Sequence, residues 1–145
     1  MPEMTAPAGP VLLVDDDAAF TDLVGRQLEA RGYQVVTAGS VEGCRRVLDQ
    51  GLRPALVLLD INLPGETGWS LLRGRAYVAA GRPRVIVVSA TRISSSRLRE
   101  FGVAGYLPKP FAMETLLETV RRYTADEAVA DVAGELREPM DVEML

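Results

Sequence analysis

Histidine is absent from the 145 residues, and cysteine and lysine occur once each, as Cys44 and Lys109. Without imidazole there is no Ser-His or Cys-His nucleophile pair and no zinc site that needs a histidine ligand. One thiol cannot close an internal disulfide, which fits a reducing compartment. Long apolar runs are missing as well: Val11–Val14 and the run from residue 55 to 59 are strand-sized, too short to span a bilayer. No basic region followed by an apolar stretch opens the chain, so a signal peptide is not expected and a cytoplasmic location is.

What is present reads as one ordinary globular domain, 48% hydrophobic and 25% charged. The net charge of −4 is unevenly placed. Residues 124–145 hold seven acids and one base, whereas residues 1–123 hold 13 acids and 15 bases. Neither part is a basic surface of the kind that binds nucleic acid. Fifteen of the sixteen bases are arginine, so the lone lysine marks a position that calls for an ammonium.

Along the chain, residues 1–10 are rich in Pro, Ala and Gly and are expected to be flexible, residues 11–123 form the domain, and residues 124–145 are an acidic tail. Within the domain, apolar runs alternate with helix-periodic stretches. The runs at 11–14, 33–38, 55–60, 84–89 and 105–107 predict five strands. Helices are predicted over 18–31, with Phe20, Leu23, Val24, Gln27 and Leu28 at helical spacing, and over 40–50, 69–80, 94–101 and 111–123. Asp17 and Ser40 are N-cap candidates, Gly32 and Gly51 are stops, and Gly74 weakens the third helix. In the last helix, Leu116, Leu117 and Val120 are expected to point inward. A capping-box pattern at Thr124–Glu127 and the apolar spacing of Val129, Val132, Ala133 and Leu136 predict an extra C-terminal helix ending before Pro139. Strict alternation implies a doubly wound α/β fold: a five-stranded parallel sheet with helices on both faces.

In such sheets ligands bind beyond the carboxyl ends of the strands. Here those ends carry Asp15 and Asp16, then Asp60, Ser89 and Lys109. With strand order 2-1-3-4-5 the first and third strands are neighbours about 4.8 Å apart, and their carboxylates converge. Each pair of such charges repels by about 3 kcal/mol at an effective dielectric near 20, so a cation is required. An all-oxygen donor set points to Mg²⁺ or a similar hard ion. Mg²⁺ and the Lys109 ammonium together balance three aspartates, and with the Ser89 hydroxyl they form a site for a phosphoryl group. A carboxylate in that site can itself be the nucleophile.

The stretches VLLVDDD, VLLDINLPGETG, VIVVSA and GYLPKPF, in this order and at successive strand ends, resemble the receiver domain of two-component response regulators, a flavodoxin-like fold. The resemblance implies a Mg²⁺-dependent phosphorelay switch in which Asp60 accepts phosphate from a sensor histidine kinase or histidine phosphotransfer protein. It implies that Asp15, Asp16, Asp60 and the backbone carbonyl of Asn62 hold Mg²⁺, for which Mn²⁺ substitutes. Ser89, the backbone of Ala90 and Lys109 would contact the phosphoryl group, Ser89 and Tyr106 would form the switch, and Lys109–Pro110 would be cis. It further implies an unidentified downstream protein, leaves open a phosphorylation-dependent homodimer, and limits the chemistry to self-phosphorylation and self-dephosphorylation. Ser89 and Lys109 stand 20 residues apart, slightly close for the family, so the segment between Thr91 and Gly102 is expected to be shortened.

Two other readings share parts of this pattern. An aspartate-nucleophile, Mg²⁺-dependent phosphohydrolase needs a second acid two residues after the nucleophile; Asp60 is followed there by Asn62, but Asp15 is followed by Asp17. A receiver-like module that is never phosphorylated would keep the fold, at the cost of three unneutralised carboxylates.

Overall fold

The computed structural model describes residues 9–125 and 140–141. Its elements in chain order are β1 (Val11–Val14), α1 (Ala18–Glu29), β2 (Val35–Ala38), α2 (Val41–Asp49), β3 (Leu56–Asp60), α3 (Gly68–Arg73), α4 (Arg75–Ala79), β4 (Val85–Ser89), α5 (Ser95–Glu100), β5 (Gly105–Pro108), α6 (Met113–Tyr123) and β6 (Met140–Asp141). The sheet runs β2-β1-β3-β4-β5-β6 and every pairing is parallel. Its first five strands have the predicted order 2-1-3-4-5, which seats β1 directly beside β3, with Val14 opposite Leu59.

Strand alternation sorts the apolar side chains into two layers. Val11 and Leu13 of β1 join Leu56, Leu58, Ile86 and Val88 against α1 and α6, where Val24, Leu28, Leu116 and Val120 close the core. Leu12 and Val14 join Val57, Leu59, Val85 and Val87 against α2 to α5. Cys44 lies in this second layer, and burial pushes its thiol up to about 12. β1, β3 and β4 are buried throughout, which is why each reads as a continuous apolar run.

Three of the helices, α1, α2 and α5, begin where a side-chain acceptor satisfies one of the first free amides. Asp17 accepts from the Phe20 amide, Ser40 from Gly43 and Ser94 from Arg97, each cap contributing about 1 kcal/mol. Gly32, at φ +94°, stops the chain after α1.

The structure departs from the sequence reading in four places. The single helix expected over 69–80 is two, because Gly74 adopts an extended conformation (φ −87°, ψ 162°) between α3 and α4. Leu23, though at helical spacing with Phe20 and Val24, is 52% exposed, since Val24 and Leu28 define the inward face of α1. Gly9 and Pro10, taken as part of a flexible segment, lie against the approach to β3: the Ala55 amide donates to the Pro10 carbonyl at 2.8 Å. Finally, β6 adds two residues outside β5 that the tail's composition does not announce. The remainder of the 1–10 segment and the predicted helix before Pro139 lie outside the described residues.

Between Ser89 and Lys109 the chain forms one short helix, α5, of six residues. It is tied down from outside: Trp69 of α3 stacks on Phe101 with ring centroids 4.6 Å apart, and Arg97 of α5 stands over the Trp69 ring at 5.6 Å.

Candidate functional site

Except for Tyr106, which lies within β5, the candidate residues lie at or just past the carboxyl ends of strands. One carboxylate oxygen each from Asp15, Asp16 and Asp60 lies within 4.8 Å of the others. Asp15 and Asp60 are 5% and 6% exposed, while Asp16 faces solvent. The two buried carboxylates are fixed by their own backbone turns. Asp15 Oδ1 accepts from the Asp17 amide and Asp60 Oδ1 accepts from the Asn62 amide, both at 2.9 Å. The second oxygen of each turns toward Lys109.

Lys109 reaches the cluster from the loop after β5. Its Nζ donates to Asp15 Oδ2 at 2.8 Å and lies 3.5 Å from Asp60 Oδ2. The peptide bond to Pro110 is cis, and the Lys109 amide donates to the Ser89 carbonyl. The ammonium also stands 4.7 Å from the centre of the Phe20 ring, which Phe111 meets edge-on. Burial pulls the Lys109 ammonium down, but its bonds and attraction to Asp15 and Asp60 prevail and hold it above the ordinary lysine value. Asp60 moves up: burial disfavours its charge more than the Asn62 amide and Lys109 favour it, and Asp15 adds repulsion.

Ser89 is fully buried at the end of β4. Its Oγ accepts from the Asn62 side-chain amide at 3.0 Å and from the Thr91 amide at 2.9 Å. The same Asn62 amide donates to Thr91 Oγ1 at 3.1 Å. Tyr106, buried in β5, donates its hydroxyl to the Thr91 carbonyl. A chain of hydrogen bonds thus runs from the residue two past Asp60, through Ser89 and Thr91, to Tyr106. Ala90 is exposed at the mouth.

The donor set is the one a hard divalent cation takes: carboxylate oxygens, no nitrogen or sulfur, and excess negative charge that one ammonium leaves uncompensated. Asp17 stands outside the cluster, its carboxylate committed to the Phe20 amide as the cap of α1. Two contributors escaped the sequence reading. Phe20 reads from its spacing as a residue of the helix core, and its place beneath Lys109 depends on the rotation of α1. The Asn62 side chain, and not only its carbonyl, belongs to the site; its sequence signal is an amide side chain two residues past the candidate nucleophile.

Comparison with known proteins agrees with this geometry. Residues 11–121 match the family model of the response regulator receiver domain. The chain is 35% identical over 137 residues to the transcriptional regulatory protein KdpE of Mycobacterium tuberculosis, covering 90% of this chain and 56% of that protein. It is 35% identical over 122 residues to the DNA-binding transcriptional regulator NtrC of a Bradyrhizobium strain, covering 83% of this chain and 25% of the relative. The chain therefore spans between a quarter and a little over half the length of these relatives. Among solved structures, a CheY-like receiver domain protein from Methanospirillum hungatei superposes with a TM-score of 0.72 at 27% identity, covering 88% of this chain and 98% of that one. The response regulator TrrA of Thermotoga maritima, solved in complex with Mg²⁺-BeF, superposes with a TM-score of 0.67 at 27% identity, covering 79% and 98%. Strand order, acidic pocket and family match converge: the chain belongs to the response regulator receiver family, the phosphoacceptor switches of two-component signalling.

Proposed function

We propose that Asp60 is the phosphoacceptor and that the pocket around it is a divalent-cation and phosphoryl site. The observation that carries this reading is the meeting of Asp15, Asp16 and Asp60 within 4.8 Å under a lysine ammonium that contacts both buried carboxylates. A divalent cation, Mg²⁺ with Mn²⁺ as substitute, would be held by Asp15, Asp16, Asp60 and the Asn62 carbonyl, and would supply neutralisation of the phosphoryl oxygens.

The chain's own residues do the rest. Asp60 offers a carboxylate oxygen to the phosphorus of a donor, the phosphohistidine of a sensor kinase or phosphotransfer protein. The new bond is an acyl phosphate; the P–N bond breaks and its electron pair returns to the donor imidazole. Lys109 already lies beside Asp60 and takes one phosphoryl oxygen as an ammonium contact. Ser89 Oγ and the Ala90 amide accommodate another. Drawing the Ser89 hydroxyl toward Asp60 loosens its bonds with Asn62 and Thr91, and because Thr91 also holds Tyr106, that change is passed to β5. The chemistry stays within the chain and its phosphoryl donor, and the protein acts as a switch rather than a turnover enzyme. The downstream protein is one that reads β5 and its neighbours; direct DNA binding by this segment is not proposed.

The hydrolase alternative loses its second acid, because Asp17 caps α1. Among the described residues no helix is long and apolar enough to cross a membrane, and a cytoplasmic location suits a kinase-fed receiver. Incubation with a small phosphodonor and Mg²⁺ is expected to give a hydroxylamine-labile adduct one phosphoryl group heavier, absent in Asp60→Asn. Normal labelling of Asp60→Asn, or steady turnover of phosphate monoesters, overturns the reading.

A further inference from the structure

The ammonium of Lys109 has three partners, and they differ in kind. Asp15 Oδ2 accepts from it at 2.8 Å, Asp60 Oδ2 lies 3.5 Å away, and the centre of the Phe20 ring lies 4.7 Å away. The first two are carboxylates of the proposed cation site. The third is neutral. Lysine carries its charge on a flexible four-carbon stem. The bond from the Lys109 amide to the Ser89 carbonyl therefore fixes where the stem starts and leaves its end to the groups around Nζ.

The ring is itself held. Phe20 stands in the first turn of α1, where its amide donates to Asp17 Oδ1 at 3.1 Å, and Phe111 meets the ring edge-on with centroids 5.9 Å apart. Three successive aspartates thus serve one site: Asp15 and Asp16 supply carboxylates, while Asp17 caps the turn that carries the ring. An aromatic face attracts an ammonium through its quadrupole and is not a ligand for a hard, oxygen-seeking dication. Asp15 is in the opposite position, because the cation and Lys109 both claim it. A carboxylate shared with a doubly charged ion has less attraction left for an ammonium, and the two positive charges repel.

We propose that Phe20 is the positioning residue of Lys109: its ring keeps the ammonium beside Asp60 when a divalent cation engages Asp15. This rests on the cation and phosphoryl reading of the pocket, and adds to it a residue that acts only through the lysine. In the metal-free pocket the ring shares Lys109 with Asp15. In the loaded pocket it is the partner that the cation does not claim. The competing account is plain packing against the lysine stem, which needs only an apolar side chain of similar size at position 20.

Lys109 is the only lysine in the chain, so the full chain with ¹³C in lysine alone gives a single Hε–Cε signal in NMR, read without any phosphodonor. In the unaltered chain that signal is expected upfield of free lysine, through the ring current of Phe20, in chelator and in saturating Mg²⁺ alike. Its return to the free-lysine position on adding Mg²⁺ overturns the proposal without recourse to a variant. Phe20→Leu is expected to lose the upfield displacement and to label Asp60 from a small phosphodonor about three- to tenfold more slowly. Phe20→Tyr is expected to recover most of both. Phenylalanine bearing one, two or three ring fluorines at position 20 weakens the quadrupole stepwise and keeps the ring apolar, so the labelling rate is expected to fall stepwise. Equal rates across the fluorine series, or an unaltered rate in Phe20→Leu, reduce Phe20 to packing and overturn the proposal. Absence of labelling in the unaltered chain would sink the phosphoacceptor reading instead, and the lysine signal would still decide whether the ring holds the ammonium.

Discussion

Lys109 leans toward Asp15: its Nζ is 2.8 Å from Asp15 Oδ2 and 3.5 Å from Asp60 Oδ2. The ammonium is thus anchored on a carboxylate of the proposed cation site while standing within reach of the proposed nucleophile. It matters in this position before any phosphoryl group arrives, because Asp15 and Asp60 are both buried, and among the described residues Lys109 is the cation that contacts both.

Lys109→Met keeps the stem and removes the ammonium. Two carboxylates then face each other without a cation, and loss of a charge-assisted bond of this kind costs about 2 kcal/mol. For a chain of this size that lowers the thermal midpoint by about 6 °C. The measurement is thermal unfolding with a chelator present. Mg²⁺ is expected to restore most of the loss in the variant and to raise the unaltered chain less. Equal midpoints in chelator would mean that the ion pair carries no stability.

The upward shift of Asp60 gives a pH dependence of definite sign. A carboxylate whose folded value lies above its unfolded value favours the fold below the ordinary value of 3.8, and that contribution is lost as pH rises through the folded value. In the metal-free chain at neutral pH, ionised Asp60 is a cost. Asp60→Asn is therefore expected to raise the midpoint at pH 7, with the advantage shrinking as pH falls toward the ordinary carboxylate range. Unfolding curves in chelator across that range check it; a constant advantage at every pH would point to packing instead of ionisation.

Much of this site was legible in the sequence because of where it lies. A strand buried on both faces reads as an apolar run, and a polar residue that ends the run marks the sheet's carboxyl edge. Asp15, Asp60, Ser89 and Lys109 all announce themselves in this way. The convergence of Asp15 with Asp60 then follows from strand order alone. What stayed hidden depends on rotations that no run of residues encodes. Leu23 and Phe20 have similar spacing claims to the core, but the twist of α1 sends Leu23 to solvent and Phe20 under Lys109. Gly74 reads as a weak point in one helix, and only the packed structure shows the chain breaking there. The tail reads as polar and helix-capped, and its short pairing with β5 has no local signature.

Loss of Ser89 is expected to separate chemistry from signalling. Its Oγ holds the Asn62 side chain and the Thr91 amide, and Thr91 holds Tyr106. Ser89→Ala leaves the Asp15, Asp60 and Lys109 contacts in place and orphans the Thr91 amide, at about 1 kcal/mol. The variant is expected to form the hydroxylamine-labile adduct on Asp60, while the phosphorylation-dependent change in the NMR signals of Tyr106 is lost or much reduced. An undiminished Tyr106 response would remove Ser89 from the path.

Gly68 controls the strand end that carries Asp60, and it does so through space rather than backbone freedom. A Cβ there would meet Ile61 Cδ1 at 2.9 Å, the Asp60 carbonyl oxygen at 3.0 Å and Ile61 Cα at 3.1 Å. Its amide donates to the Ile61 carbonyl, docking the start of α3 on the end of β3. Gly68→Ala therefore forces the helix and the loop apart, at about 1–3 kcal/mol for an overpacked contact, and the displacement is delivered to the backbone of Asp60 itself. Gly65 provides the control. At φ +83° an added side chain is strained, yet nothing lies within 4 Å of the new Cβ, so Gly65→Ala costs about 1 kcal/mol without pressing on β3. Phosphodonor labelling of Asp60 is expected to slow severalfold in Gly68→Ala and to stay near the unaltered rate in Gly65→Ala, although both lower the thermal midpoint. Slowing that tracked stability alone would affect both variants in proportion, and would show that the close approach of Gly68 to β3 has no part in aiming the carboxylate.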